Sequence, residues 1–373
     1  MKSKVYFINL RARNKNQNKI NKIRKLFEKA EFKDVIAEGD LTAIKIHFGE
    51  LGSDGYINPV FVRQIVEKVK EAKGNPFVTD TNTLYFGSRA NAVDHTNTAV
   101  LHGFVHSVVD APVVIADGLK GENVEEIKIN KKHFKNTKIA GGITQADSMI
   151  VLSHFKGHEM AGFGGAIKNL AMGCANPAGK RDQHSTRQKV NPEKCVGCGM
   201  CEEVCPEGAI TMKNKKAFID TNICIGCGEC MTVCPVKAIE LNWATEIKEF
   251  TEKLTEYAYG AVKGKEGKVA YINFVINVTP DCDCVPWSDA PIVPDIGILA
   301  STDPVALDQA CYDLVNKAAA LNNSLLKDSK HDTNCEHNHD KFKAMREYTY
   351  GDIQLSYGEE IGLGSRTYEL IEV

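Results

Sequence analysis

The sequence predicts an α/β protein: a mostly parallel sheet with helices on both faces, interrupted by an inserted α+β module. Three observations lead there. Short apolar runs alternate with helical stretches before residue 188 and again after residue 244. Asn58-Pro59 and Asp303-Pro304 read as helix starts, with a capping side chain followed by a proline in the first turn. Eight of the thirteen cysteines crowd between Cys195 and Cys234, marking a segment of different character.

Taken in order, Ser3 to Asn9 reads as a strand, followed by an Asn/Lys-rich helix to Phe32. Thr42 to Phe48 is a strand, and the helix opened by Asn58-Pro59 runs to Lys73. Pro76–Thr79, Val113–Ala116 and Ser148–Ser153 read as strands, with helices over Ala90–His102 and Ala166–Met172. After the cysteine block come a helix at Glu246–Tyr259, a buried strand at Val269–Val278 and a strand at Ile296–Ala300. Asp303-Pro304 then opens a helix to Lys317. The expected organisation is an α/β domain from 1–187 and 245–373, with the module at 188–244 inserted.

The 373 residues suffice for about two domains and a sizeable core. Hydrophobic residues make 43% and charged residues 25%, which excludes wholesale disorder. Lys plus Arg number 46 against 48 Asp plus Glu, a net charge of −2. That balance speaks against nucleic acid or a membrane surface as partner. The N-terminal stretch has no apolar core like that of a secretory signal, and no run reaches the roughly 18 apolar residues of a bilayer span. The expected setting is the cytoplasm. Arg11 to Lys33 carries nine Lys/Arg and two Glu, read as the solvated face of a helix.

The cysteine block holds the strongest signal. Cys195, Cys198, Cys201 and Cys205 precede Pro206; Cys224, Cys227, Cys230 and Cys234 precede Pro235. Each run is C-x2-C-x2-C-x3-C-P, the pattern of bacterial two-cluster ferredoxins. Three thiolates two residues apart wrap one cubane, and the fourth reaches the other. Cys195, Cys198, Cys201 and Cys234 are thus expected on one [4Fe–4S] cluster, and Cys224, Cys227, Cys230 and Cys205 on the second. Gly197, Gly199, Gly226 and Gly228 permit the tight turns. Disulfides would need an oxidising compartment, and zinc seldom uses such a pattern twice.

Elsewhere, chemistry is expected outside the carboxyl ends of the strands. Lys45 and His47 stand near the end of one strand; His154, Lys156 and His158 follow another, and the next helix contains Lys168 and Asn169. Lys45, Lys156 and Lys168 would bind an anionic group, while His47 or His158 would move a proton. Gly162, Gly164 and Gly165 before that helix could turn N–H groups toward an anion, with Asn169 beside them. No Walker A sequence and no complete Gly-x-Gly-x-x-Gly fingerprint is present. Asp80, Thr81, Asn82, Asp117 and Gly118 also follow strands.

Of the other cysteines, Cys311 falls on an apolar helix face and reads as core. Cys282-Asp283-Cys284, with Cys174, could hold an additional metal, form a redox pair, or be plain thiols. His331, Cys335, His337 and His339 read either as a metal ligand set or, preferably, as surface decoration of a polar loop.

Several stretches together resemble the domain of unknown function 362 family in its ferredoxin-containing form. They are Lys45-Ile-His47-Phe-Gly49-Glu50, Ile167 to Ala175, Cys282-Asp283-Cys284-Val285-Pro286-Trp287, Asp295 to Asp308 and Gly362 to Leu370. The resemblance implies an iron–sulfur protein, mainly of anaerobes, with an α/β domain and no settled reaction. Cys-Asp-Cys belongs to the family pattern, which favours a functional reading of that pair. The His tract does not, apart from the Asp340-Lys341-Phe342 that follows.

Three functions are open at this stage. One is an iron–sulfur oxidoreductase passing electrons to or from a site in the α/β domain, with a small-molecule substrate or a redox partner protein. Another is a non-catalytic electron carrier docking through residues 11–33. The third is an iron–sulfur or metal maturation factor. The oxidoreductase is preferred, because a plain carrier needs only the inserted module. Whether a flavin or nicotinamide binds, and the oligomeric state, are not readable.

Overall fold

A computed structural model describes residues 2–84, 87–184, 187–205, 207–221, 223–224, 229–242, 247–328 and 340–373. Cys227 and the tract His331, Cys335, His337 and His339 lie outside the described residues. The centre is an eight-stranded sheet. Its strands are β1 (Ser3–Asn9), β2 (Leu41–Lys45), β3 (Asn75–Asp80), β4 (Val113–Ile115), β5 (Ser148–His154), β6 (Val269–Val275), β7 (Gly297–Ser301) and β8 (Tyr368–Glu372). The spatial order is β8-β1-β7-β6-β5-β2-β3-β4. All neighbours run parallel except β7, which is antiparallel to both β1 and β6. The mostly parallel α/β fold is therefore observed.

Central strands are buried on both sides, so they read as continuous apolar runs. Every residue of β5 and of β6 is buried. Alternate side chains then serve two separate cores. Met149, Val151, Tyr271 and Leu299 point into one; Ile150, Leu152, Ile272 and Ile298 point into the other. The first core is covered by α4 (Ala166–Cys174), α6 (Ile247–Val262), α7 (Pro304–Lys317) and α8 (Asp352–Glu360). The second is covered by α1 (Lys19–Lys29), α2 (Pro59–Glu71) and α3 (Ala92–Leu101). A further helix, α5 (Pro177–His184), follows α4.

Helix starts follow local chemistry. Asn58 accepts the Val60 N–H and Asp303 accepts those of Val305 and Ala306, each just before a first-turn proline. The strand expected to Phe48 stops at Lys45, and Gly49, at φ +83°, turns the chain beyond it. Helices α5 and α8, strand β8 and the hairpin of Val124–Lys128 with Asn136–Ala140 were not anticipated.

The described residues between 187 and 242 share a small core of their own. Arg187–Val190 pairs antiparallel with Ile239–Asn242, and Ile210–Lys213 pairs with Lys216–Ile219. Met200–Glu203 and Glu229–Thr232 are short helices. The core contains Cys195, Cys201 and Cys230 packed with Ile210, Ile219 and Ile239; Cys205, Cys224 and Cys234 pack against it. Strand β5, before these residues, pairs with β6, after them.

Candidate functional site

The chain runs from β2 outward through β3 to β4, then returns to place β5 on the other side of β2. Such a reversal opens a crevice at the carboxyl ends of the strands. A cavity of about 410 Å³ lies there, lined by residues including His47, Asp80, Arg89, His158, Lys168 and Lys180. Glu50, Glu159, His184 and Cys284 also reach its wall.

Helix α4 positions Lys168 by periodicity. Ile167, Leu170, Ala171 and Cys174 form its buried face, whereas Lys168 and Met172, four apart, turn to the cavity. Lys168 Nζ donates to Cys282 Sγ at 3.3 Å. The loop between β2 and α2 holds the Cys282-Asp283-Cys284 segment in place. Glu50 N donates to the Asp283 carbonyl at 2.8 Å, and a Cβ on Gly55 would stand 2.4 Å from Asp283 Oδ1. The Asp283 carboxylate is buried against His154 Nδ1 at 3.0 Å and Lys156 Nζ at 3.4 Å. With Asp283 anchored behind the loop, Cys282 and Cys284 share one side with His158. One ligand atom from each of His158, Cys282 and Cys284 falls within 4.8 Å of the others, close enough to meet on one metal ion.

Sequence-predicted residues divide into two groups. His47, His158 and Lys168 line the cavity. Lys45 stands behind it, fully buried, donating to Asp80 Oδ1 at 2.9 Å, Asn169 Oδ1 at 2.7 Å and the Ile46 carbonyl at 3.0 Å. Asn169 in turn donates to the Leu152 carbonyl and Ser153 Oγ. Lys156 donates to the His154 carbonyl and faces Asp283. Lys45, Lys156 and Asn169 therefore position the wall rather than touch a ligand in the cavity.

The anion cradle expected at Gly162, Gly164 and Gly165 is filled from within the chain. Ala166 N and Ile167 N, the first amides of α4, donate to Asp308 Oδ1 and Oδ2 at 2.8 and 2.9 Å. Gly165 is required because its Cβ would stand 2.3 Å from Asp308 Oδ1. Gly162 packs on the backbone of Gly351 and Gly164 on the stem of Lys168. Cys174 does not join Cys282 and Cys284; the periodicity of α4 turns it into the core, and His158 takes that place. Cys311 is core, as expected.

Burial sets the charge state of the imidazoles. Burial, followed by the charges of Arg89 and the nearby lysines, holds His47 neutral well below the usual histidine range. Burial and then Lys168 do the same to His158. Both are neutral near pH 7. At Cys282 the hydrogen bond from Cys284 and the ammoniums of Lys168 and Lys156 outweigh burial and push the thiol well down. Cys284 moves up as the partner that keeps the proton. Burial raises Asp117 to about 6 and lowers Lys180 to about 8.

Arg89, Lys180 and His184 were missed in the sequence. Arg89 Nε donates to Glu50 Oε2 at 3.0 Å, and its Nη1 lies 3.2 Å from His47 Nε2. Lys180 and His184 ride on α5, whose start repeats a pattern already used twice: Asn176-Pro177, with Asn176 Oδ1 accepting from Gly179 N. The basic segment 11–33 is partly spoken for. Lys22 is buried against backbone carbonyls of Asn9 and Arg11, and Arg24 pairs with Glu67 and Glu71.

Among the described residues of 187–242, one small void is lined by Cys195, Cys198, Cys201 and Cys234 together. Ala209 N donates to Cys205 Sγ and Ala238 N to Cys234 Sγ, both at 3.2 Å, at equivalent places in the two runs.

The sequence pattern of the Domain of unknown function (DUF362) family matches residues 42–313. The chain belongs to the DUF362 family. The match spans β2 to α7, and therefore the cavity wall of this DUF362 protein. No curated protein matches the chain. Among solved structures, the lactate racemase apoprotein from Thermoanaerobacterium thermosaccharolyticum is similar at 14% identity and a TM-score of 0.36, over 68% of this chain and 49% of that one. A structural-genomics protein from Thermotoga maritima is similar at 9% identity and a TM-score of 0.36, over 75% of this chain and 55% of that one. This DUF362 chain thus spans about half the length of each. No described helix is long and apolar enough to cross a membrane.

Proposed function

We propose that this DUF362 protein is an iron–sulfur oxidoreductase. The inserted unit would hold two [4Fe–4S] clusters, and the cavity at the carboxyl edge of the sheet would take the substrate. The observation that carries this reading is the void shared by Cys195, Cys198, Cys201 and Cys234. Cys234 comes from the second cysteine run, so the four belong together only if the runs exchange their last ligand, as cluster binding requires. The paired N–H groups on Cys205 and Cys234 support it, because hydrogen bonds to cluster sulfurs tune the potential. Cys205, Cys224, Cys227 and Cys230 would hold the second cluster. Bound clusters supply one-electron transfer at low potential.

The cavity residues do the rest. Lys168 and Lys180 carry the positive charge toward an anionic or electron-rich ligand. Arg89, held by Glu50, shapes the opposite wall. His158 and His47, both neutral, orient polar groups. A carrier would not need this cavity, and the partly paired basic segment is a poor docking face.

Anaerobic iron and sulfide quantitation with EPR after reduction tests the reading. About eight iron and eight sulfide per chain are expected. Fewer after anaerobic reconstitution overturns it. Lys168→Ala should leave the cluster spectrum intact and abolish turnover.

A further inference from the structure

We propose that Cys282 and Cys284 are a redox-active dithiol that exchanges with a small-molecule disulfide in the cavity. This rests on the cavity reading above and is independent of the cluster reading.

The geometry first argues against a resident metal. A histidine that ligates a metal offers a lone pair from one ring nitrogen and donates from the other. His158 Nδ1 accepts two backbone N–H groups, from Met160 at 3.1 Å and Ala161 at 3.0 Å. Its lone pair is taken, so the ring proton sits on Nε2, which faces Glu159 Oε1 at 3.5 Å. Neither nitrogen has a lone pair to give. The ammonium of Lys168, 3.3 Å from Cys282 Sγ, already supplies the cation that a thiolate needs.

Disulfide formation suits the backbone. Val285 N donates to the Cys282 carbonyl at 3.1 Å, closing a turn that folds the two cysteines toward each other. The two sulfurs lie within 4.8 Å of one another. Their exposure assigns their roles. Cys284 reaches the cavity wall, whereas Cys282 is 1% exposed and lies behind it. Cys284 therefore meets the substrate and Cys282 resolves.

The step balances. As Cys284 Sγ bonds to one sulfur of the substrate R–S–S–R, its proton passes to the neighbouring Cys282 thiolate. The substrate S–S bond breaks, and R–S⁻ leaves with the proton from Cys282. Cys282, again a thiolate beside Lys168, attacks Cys284 Sγ and expels the second R–S⁻. The protein thiol–thiolate pair is oxidised to a disulfide and the substrate is reduced to one thiol and one thiolate, the latter taking its proton from water. A dithiol reductant reverses it. The substrate is a small molecule because the reacting sulfur lies inside a cavity and not on a projecting loop.

The experiment uses the full chain, prepared anaerobically, with glutathione disulfide as probe. Samples are acid-quenched, alkylated and peptide-mapped by mass, with iron counted on the same preparation. The peptide holding Cys282 and Cys284 should lose two hydrogens and regain them with dithiothreitol. Cys282→Ser should stop at a mixed disulfide on Cys284; Cys284→Ser should react about a tenth as fast or less. If both cysteines of the unaltered chain stay as thiols throughout, the proposal falls. It also falls if stoichiometric zinc or iron shields them until chelated away. Low iron with an intact disulfide cycle would instead count against the clusters alone.

Discussion

Lys168 Nζ lies 3.3 Å from the sulfur of Cys282, joining helix α4 to a loop 114 residues further along the chain. The contact places a positive charge on a buried sulfur. An ammonium there stabilises the thiolate, so Lys168→Met should move its ionisation to higher pH. Ultraviolet thiolate absorbance followed against pH, with Cys282→Ser as the blank, measures this. An unshifted curve would mean that Lys168 does not hold the charge.

Lys45 and Asp80 form a buried ion pair at 2.9 Å with side chains 0% and 3% exposed. Removing one partner strands the other charge, so Lys45→Met should cost about 3–5 kcal/mol in urea unfolding. Lys45→Met with Asp80→Asn should recover part of the loss. Asp80 is held below the usual carboxylate range; burial opposes this, and Lys45 and its neighbours outweigh it. A depressed acid contributes stability above its unfolded pKa, lost as pH falls through the folded value. The acid limb of unfolding should therefore flatten in Asp80→Asn.

Lys180 gives the same slope in an alkaline window. Burial lowers it from the ordinary 10.5 to about 8. Between those values the unfolded chain binds more protons than the folded one, so stability rises with pH over that window. Lys180→Met should abolish the rise. Urea midpoints measured from neutral pH to above 10.5 check it.

Asp308 caps α4 from another helix. Asp308→Ala would leave Ala166 N and Ile167 N buried without partners, a loss of about 2–4 kcal/mol. Gly165→Ala should destabilise as well, because its Cβ would stand 2.3 Å from Asp308 Oδ1. Thermal unfolding of both variants is the test. A neutral Asp308→Ala would show that water replaces the carboxylate.

Much of the fold was legible because its signals are local. Continuous apolar runs marked β5 and β6, and the Asn-Pro and Asp-Pro starts marked α2 and α7. The same signal at Asn176-Pro177 went unread, and Lys180 and His184 were lost with it. Strand β8 was missed because an edge strand with mostly exposed residues has no strong apolar pattern. Within the site, residue type and strand-end position pointed to His47, His158 and Lys168 but equally to Lys45 and Lys156. Which lysine faces a cavity and which is consumed by a buried carboxylate depends on partners 35 and 127 residues away.

By itself the sequence determined the family, the alternation of strands and helices, and the two cysteine runs, since spacing and periodicity are properties of neighbouring residues. Only the tertiary structure decided that α4's amides are satisfied by Asp308, that Cys174 is core, and that Cys282 meets Lys168. Those outcomes turn on how the sheet folds distant segments onto one edge. The energy of a buried charge or amide is set by whatever the fold places within hydrogen-bonding reach, which no local pattern records.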